Sequence, residues 1–491
     1  MSDITLSTPG TETSDEERAV GARNRLVIGV LLVSTFVVIL NETIMGVALP
    51  RLTVDLGITA GAAQWLTAAF MLTMAVVIPI TGFLLQRFHT KPLFITAMTL
   101  FSTGTLIAAI APGFEILLVG RVVQASGTAI VFPLLMTTVM NLVPSASRGR
   151  MMGNISIVIS VAPAVGPTIS GLILSVFDWR WMFLLVLPIA LAALVVGGFL
   201  IKNVTEPRPT RFDPLSVVLA AFGFGGLVYG LSNLGSPGGI GAVSGWLPLA
   251  VGVVALVLFV LRQSHLQRTD EALLDLRTFR STTFTFSIVM FTISMMAMFG
   301  TIVLLPFFMQ DVLKIDSLNT GLLLLPGGLI TGLLAPFVGR VYDRVGPTGL
   351  LVAGAIIVSA ALWSLTMLDQ HSSFWWLLAG HVTLSIGLAL LFTPLFSASL
   401  GSLRPELYSH GSAIVGTIQQ LAGAAGTALF VTVMSSHAAT LAAGGASAVA
   451  ATAGGIRQAF VYGAIISLLA IPAAFFVRKT PDAAQNVTAG H

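Results

Sequence analysis

Leu26 to Pro50 reads LVIGVLLVSTFVVILNETIMGVALP, and the reading of this stretch decides the rest. It is apolar almost throughout. At about 25 residues it is long enough to cross a hydrocarbon core as a helix. Asn41 and Glu42 stand in its outer half. Counting 1.5 Å per residue puts Glu42 roughly 24 Å from the inner end and roughly 12 Å from the outer end. An ionisable group at such a depth is costly and marks a functional site by default.

The whole chain shares this character. Of its 491 residues 55% are hydrophobic and 9% charged, against about 25% charged in a soluble domain. Mean hydropathy is +0.95. A surface this apolar needs lipid as its solvent, and the lipid bilayer is the expected partner. The chain has no cysteine, which excludes disulfides and thiolate metal sites. The net charge of +4 reflects few charges rather than a basic patch, so no nucleic-acid partner is expected. The polar, acidic start has no basic n-region and does not read as a signal peptide. No phosphate-loop pattern and no H-E-x-x-H pair is present, so no enzyme, no metal and no cofactor is expected.

The predicted fold class is all-α and membrane-integral, with 14 transmembrane helices. They fall near 26–50, 61–85, 92–112, 114–142, 151–177, 180–201, 214–235, 243–262, 283–310, 318–341, 348–368, 374–402, 409–436 and 456–477. The domain reading is a cytoplasmic tail over 1–25 and a six-helix bundle over 26–201. A linker with two additional helices follows over 202–282, then a second six-helix bundle over 283–478 and a cytoplasmic tail over 479–491. With the N-terminus inside, nineteen of the 24 Lys and Arg residues fall on the cytoplasmic side. The halves repeat one another. SGTAIVFPLLM, Ser126–Met136, matches IGLALLFTPLF, Ile386–Phe396, and GFLLQRFH from Gly82 matches GRVYDRVG from Gly339. Parallel six-helix repeats place a substrate site between the halves near mid-membrane.

Individual residues sharpen this reading. Glu42 is the candidate proton-coupling acid. Arg121, at similar depth in span 4, is its candidate partner, with Gln124 and Thr128 on the same helix face. In span 5, APAVGPTISG repeats small residues at Ala162, Gly166 and Ser170, which favours close helix packing. Pro163 and Pro167 each remove a backbone donor there and are expected to bend the helix, with Gly171 closing the motif. The turns holding Gly82, Arg87, Gly339, Asp343 and Arg344 are candidate cytoplasmic gates, with Asp343 and Arg344 expected to bond helix ends. Gln124, His381, Met295, Phe299 and Gln420 are candidates for the substrate cavity. His381 is the repeat counterpart of Arg121, although a neutral core histidine is the simpler reading. Met295 and Phe299 belong to a run of Met and Phe in span 9 that suits either promiscuous ligands or plain packing.

With these motifs in hand, the chain resembles the major facilitator superfamily and, within it, the fourteen-helix drug:proton antiporters. LNETIMGVALP (Leu40–Pro50), GRVVQASGTA (Gly120–Ala129) and APAVGPTISG look like the motifs of spans 1, 4 and 5, and GRVYDRVG is similar to the family's cytoplasmic loop motif, whose first copy is GFLLQRFH. WRWMFLLVLPIAL (Trp179–Leu191) and IQQLAGAAGTAL (Ile418–Leu429) look like further signatures of that branch. Two departures stand out. The first-span aspartate of the family falls on Asn41, with Glu42 beside it, and the first loop motif has Gln86 and His89 in place of Asp and Gly. The resemblance implies proton-coupled efflux of amphipathic small molecules or drugs across a bacterial cytoplasmic membrane by alternating access. Small-molecule substrate and protons are the expected partners, the expected state is a monomer, and both termini are expected in the cytoplasm. The alternatives are a dedicated metabolite or lipid exporter of the same fold, or a non-transporting membrane receptor or scaffold.

Overall fold

A computed structural model describes residues 9–58, 60–203, 207, 212–234, 245–315 and 317–479. The tail residues 1–8 and 480–491, and the loop arginines Arg208 and Arg211, lie outside the described residues. Among those described there is no strand, and 14 helices are long and apolar enough to cross a membrane. Helices satisfy their own backbone groups, which is why apolar runs in lipid take this form.

The first half comprises α1 (Pro9–Asp55), α2 (Ala60–Arg87), α3 (Thr90–Ala109), α4 (Phe114–Leu142), α5 (Arg148–Val176) and α6 (Arg180–Leu200). The inserted pair is α7 (Pro214–Leu234) and α8 (Trp246–Leu266). The second half comprises α9 (Thr282–Phe307), α10 (Ser317–Val345), α11 (Thr348–Leu365), α12 (Phe374–Gly401), α13 (Tyr408–Ala443) and α14 (Ala448–Ser467), followed by the short α15 (Ala470–Ala474). Ser281, Ser373 and Ser447 cap α9, α12 and α14 by accepting from the backbone N–H of Phe284, Trp376 and Ala450.

The boundaries depart from hydropathy in three places. α1 begins well before Leu26, because TETSDEERAVGARNR contains good helix formers and continues the helix beyond the apolar run. α13 runs on to Ala443 through an Ala-rich segment. The last apolar segment begins earlier than expected, at Ala448, and its helix breaks before the short α15, which contains Pro472.

The repeat is visible in the packing. Gly127 on α4 lies against Ala97 and Phe101 of α3, and its repeat counterpart Gly387 on α12 lies against Val358 and Gly354 of α11. A side chain at either glycine would overlap the neighbouring helix, so both act by permitting close approach. The halves meet along α5–α10 and α2–α13, and α7 packs on both α2 and α13. The inserted pair therefore lies against the seam. Trp65 of α2 and Tyr229 of α7 pack with ring centroids 5.6 Å apart.

The inserted pair is also anchored by polar contacts. Asp213 accepts two hydrogen bonds from Arg262, at 2.7 and 2.8 Å, and others from Ser216. These hold the Asp213 carboxyl down at about 2, the Arg262 bond contributing most. Gln263 of α8 donates to Ser216 and accepts from the N–H of Leu274, tying the pair to the following linker.

Candidate functional site

The site is best built outward from Arg121 on α4. Its side chain is fully buried. Nη1 donates to Gln124 Oε1 at 2.7 Å and to Asn41 Oδ1 at 3.2 Å, and Nε reaches the Leu66 carbonyl at 3.4 Å. Gln124 donates onward to Thr105 Oγ1 on α3 at 2.7 Å. The Phe70 ring covers the guanidinium, its centroid 4.1 Å from Cζ. One buried cation thus ties together α1, α2, α3 and α4. Arg121 Nη2 and Asn41 Nδ2 are buried and have no hydrogen-bond partner among the described residues.

Glu42 follows Asn41 and points elsewhere on α1, since successive helical residues diverge by about 100°. Its side chain is half-buried. Glu42 and Arg121 interact electrostatically, but the carboxylate makes no hydrogen bond among the described residues. Arg121 therefore bonds the neutral Asn41 directly and Glu42 only through space.

α5 presses on this part of α1. Ala162, Gly166 and Ser170 are buried on one face of α5. A Cβ on Gly166 would overlap Thr43 Oγ1, and Ser170 donates to the Ile44 carbonyl at 2.9 Å. Pro163 is exposed, and α5 runs unbroken past it and past Pro167, whose side chain lies outside the described residues. Gly171 is exposed and meets no atom within 4 Å, so it stands off the packed face.

The gate residues separate. Asp343 at the end of α10 reaches across to the start of α5. Its Oδ1 accepts from the N–H of Gly149 and its Oδ2 from that of Arg150, both at 2.8 Å. A carboxylate on a helix N-terminus satisfies free N–H groups and the helix dipole together. Gly339 lies directly against the Gly149 backbone, and Lys479 Nζ donates to the Asp343 carbonyl at 2.8 Å. Arg344, left exposed at the end of α10, bonds no helix end among the described residues, unlike its expected role. At the matching loop, Gly82 packs on His410 and Ala413 of α13, Arg87 lies over the Phe83 ring, and Gln86 donates to the Glu406 carbonyl at 3.0 Å. Thr137–Ser412 at 3.2 Å and Thr393–Ser156 at 3.0 Å add further bonds across the seam. All these contacts lie toward the face where Arg87, Arg148, Arg344 and Arg404 collect, here termed the basic face.

The candidate cavity residues do not form one cluster. Gln124 belongs to the Arg121 network. His381 is buried between α10 and α12, its Nε2 3.2 Å from the Leu324 carbonyl, and it belongs to the second half. Met295 is fully buried packing, whereas Phe299 is half-buried against Gly423. Gln420 on α13 faces Met74 of α2 across the seam, with Nε2 3.9 Å from the sulfur. Thr105, Phe70 and the Leu66 carbonyl were not foreseen. No isolated Thr or Phe carries a sequence signal, though the spacing of Arg121 and Gln124 on one face points toward α3.

A family model described as Major Facilitator Superfamily matches residues 31–427. The chain is 39% identical to a lincomycin resistance protein of Listeria monocytogenes, over 92% of this chain and 96% of that one. It is 28% identical to a multidrug resistance protein B homolog of Mycobacterium tuberculosis, over 82% of this chain and 74% of that one. Its fold is similar to that of the proton:xylose symporter XylE, with a TM-score of 0.64 at 14% identity, covering 94% and 97% of the two chains. On the match over most of its length, this multi-pass membrane chain belongs to the Major Facilitator Superfamily of transporters.

Proposed function

We propose that the protein exports amphipathic small molecules from the cytoplasm in exchange for protons. Glu42 carries the proton, and the two halves rock about the α5–α10 and α2–α13 seams. The observation that carries this reading is the half-buried Glu42 beside a fully buried Arg121. A carboxylate held between desolvation and a nearby cation is suited to change charge within a cycle. The resistance names of the relatives support drug-like substrates and make lincomycin the first probe. The basic face is assigned to the cytoplasm by the positive-inside rule, which puts both termini there in a bacterial inner membrane.

The test is Glu42→Gln in vesicles with an imposed pH gradient. Gln keeps size and hydrogen bonding but cannot change charge. Uphill efflux is expected to disappear, while gradient-independent exchange survives. Undiminished uphill efflux with a normal pH response would place the proton site elsewhere.

A further inference from the structure

Arg121 can only donate hydrogen bonds, so the Asn41 oxygen must face it and the Asn41 amide nitrogen must point away. The bond from Nη1 to Oδ1 at 3.2 Å fixes that orientation. Two buried donors then stand on neighbouring groups with no acceptor among the described residues, Asn41 Nδ2 and Arg121 Nη2. Buried polar groups are paired in all but exceptional cases, and an exception calls for a cause. The acceptor is already tethered next door. Glu42 is half-buried and unbonded among the described residues, and it senses Arg121 electrostatically. Both donors are on fully buried residues, under Phe70 and against α4, so a large solute is a poorer occupant than a side chain of α1 itself.

We propose that Asn41 is a positioning residue for Glu42: its free amide N–H and the free Nη2 of Arg121 form a two-donor cradle that receives the Glu42 carboxylate once the proton has left. In the structure Glu42 is half-buried and bonds neither donor. When the carboxyl passes its proton to water, the resulting carboxylate turns in and accepts from both donors. Reprotonation removes the charge that holds it and returns Glu42 outward. Asn41 thus contributes the neutral half of the cradle and needs no charge change of its own. This inference rests on Glu42 being the proton carrier.

The test uses Asn41→Leu, which keeps approximate size and removes the amide. A donor to a carboxylate favours its charged form. Without it, the pH profile of proton-driven lincomycin efflux is expected to move about one unit to the alkaline side, a tenfold change in proton concentration. Lincomycin binding to detergent-solubilised protein should stay within about twofold, because the amide is fully buried. A pH-difference infrared spectrum supplies the second readout. The carboxylate band that vanishes in Glu42→Gln should shift in frequency in Asn41→Leu. If Asn41→Leu does not reach the membrane, Asn41→Ala carries the same test. A wild-type pH profile with an unshifted band overturns the cradle. If Glu42→Gln removes neither the band nor uphill efflux, the proton-carrier reading itself fails, and the two failures are told apart.

Discussion

Arg121 owes its position to four backbones, and only part of that could be read from a linear string. Its depth within an apolar span and the i, i+3 spacing to Gln124 were legible, because charge in lipid is rare and helical spacing is fixed. The contacts with Thr105, Phe70 and the Leu66 carbonyl were not, since they come from α2 and α3, whose residues there are ordinary for membrane helices. Asp213 shows the same limit outside the spans. It lies in a Pro-rich loop with no motif, yet Arg262 and Ser216 hold its carboxyl at about 2 instead of 3.8. A carboxyl lowered on folding adds stability that is complete above about pH 4 and lost as pH falls toward 2. At 1.36 kcal/mol per unit the ceiling is about 2.5 kcal/mol. Arg262 is one-third exposed, and solvent screening reduces this to about 1–2 kcal/mol. Asp213→Asn is therefore expected to lower the unfolding midpoint in detergent at pH 7 and to match the parent protein near pH 2. An equal deficit at both pH values would mean that packing, rather than charge, anchors the pair.

At the scale of elements, α5 shows how small residues set a helix–helix distance. The fourfold spacing of Ala162, Gly166 and Ser170 was legible because it follows the helical repeat. Which helix that face meets was not, since small residues tolerate any neighbour. The structure supplies α1, with contact at Thr43 and Ile44, immediately after Glu42. Any movement of α5 is thereby transmitted to the residue that carries the proton in the proposed cycle. Gly166→Leu should force α5 off α1, at the roughly 1–3 kcal/mol typical of overpacking. Gly171→Leu, five residues along the same helix, faces open space and is the matched control. The first variant is expected to insert but to leak or fail in proton-driven efflux, and the second to transport normally. Equal activity of the two at equal expression would mean that the α1–α5 spacing does not matter to transport.

At the scale of the molecule, the fold class was legible from hydropathy and the internal repeat, because lipid leaves a chain few choices. The seam was not, because complementarity between halves depends on backbone placement. Its contacts concentrate toward the basic face, where Asp343 caps α5, Gly339 lies on Gly149, and Gln86 meets the α12–α13 loop. The two loops are related by repeat but are chemically unequal. Asp343 offers two charged acceptors to bare N–H groups, whereas Gln86 offers a single donor to a carbonyl. The charged contact of the basic face is therefore on α5–α10, and in the proposed cycle it is the latch. Asp343→Asn keeps the shape and one acceptor but loses the charge on the helix terminus, an interaction worth about 0.3–1 kcal/mol at exposed sites and up to about 2 when partly buried. A loss of about 1.4 kcal/mol from the closed state alone changes the ratio of closed to open molecules tenfold. The chain has no native cysteine, so a single cysteine at Ser156, a nearly isosteric change at a buried residue that meets Thr393 across the seam, can report its opening. Labelling by a membrane-impermeant thiol reagent from the basic face should rise severalfold in the Asp343→Asn background, and the matching Gln86→Ala change should alter it little. Unchanged labelling in Asp343→Asn would assign the latch to packing of the glycine pair, and a larger effect from Gln86→Ala would move it to α2–α13.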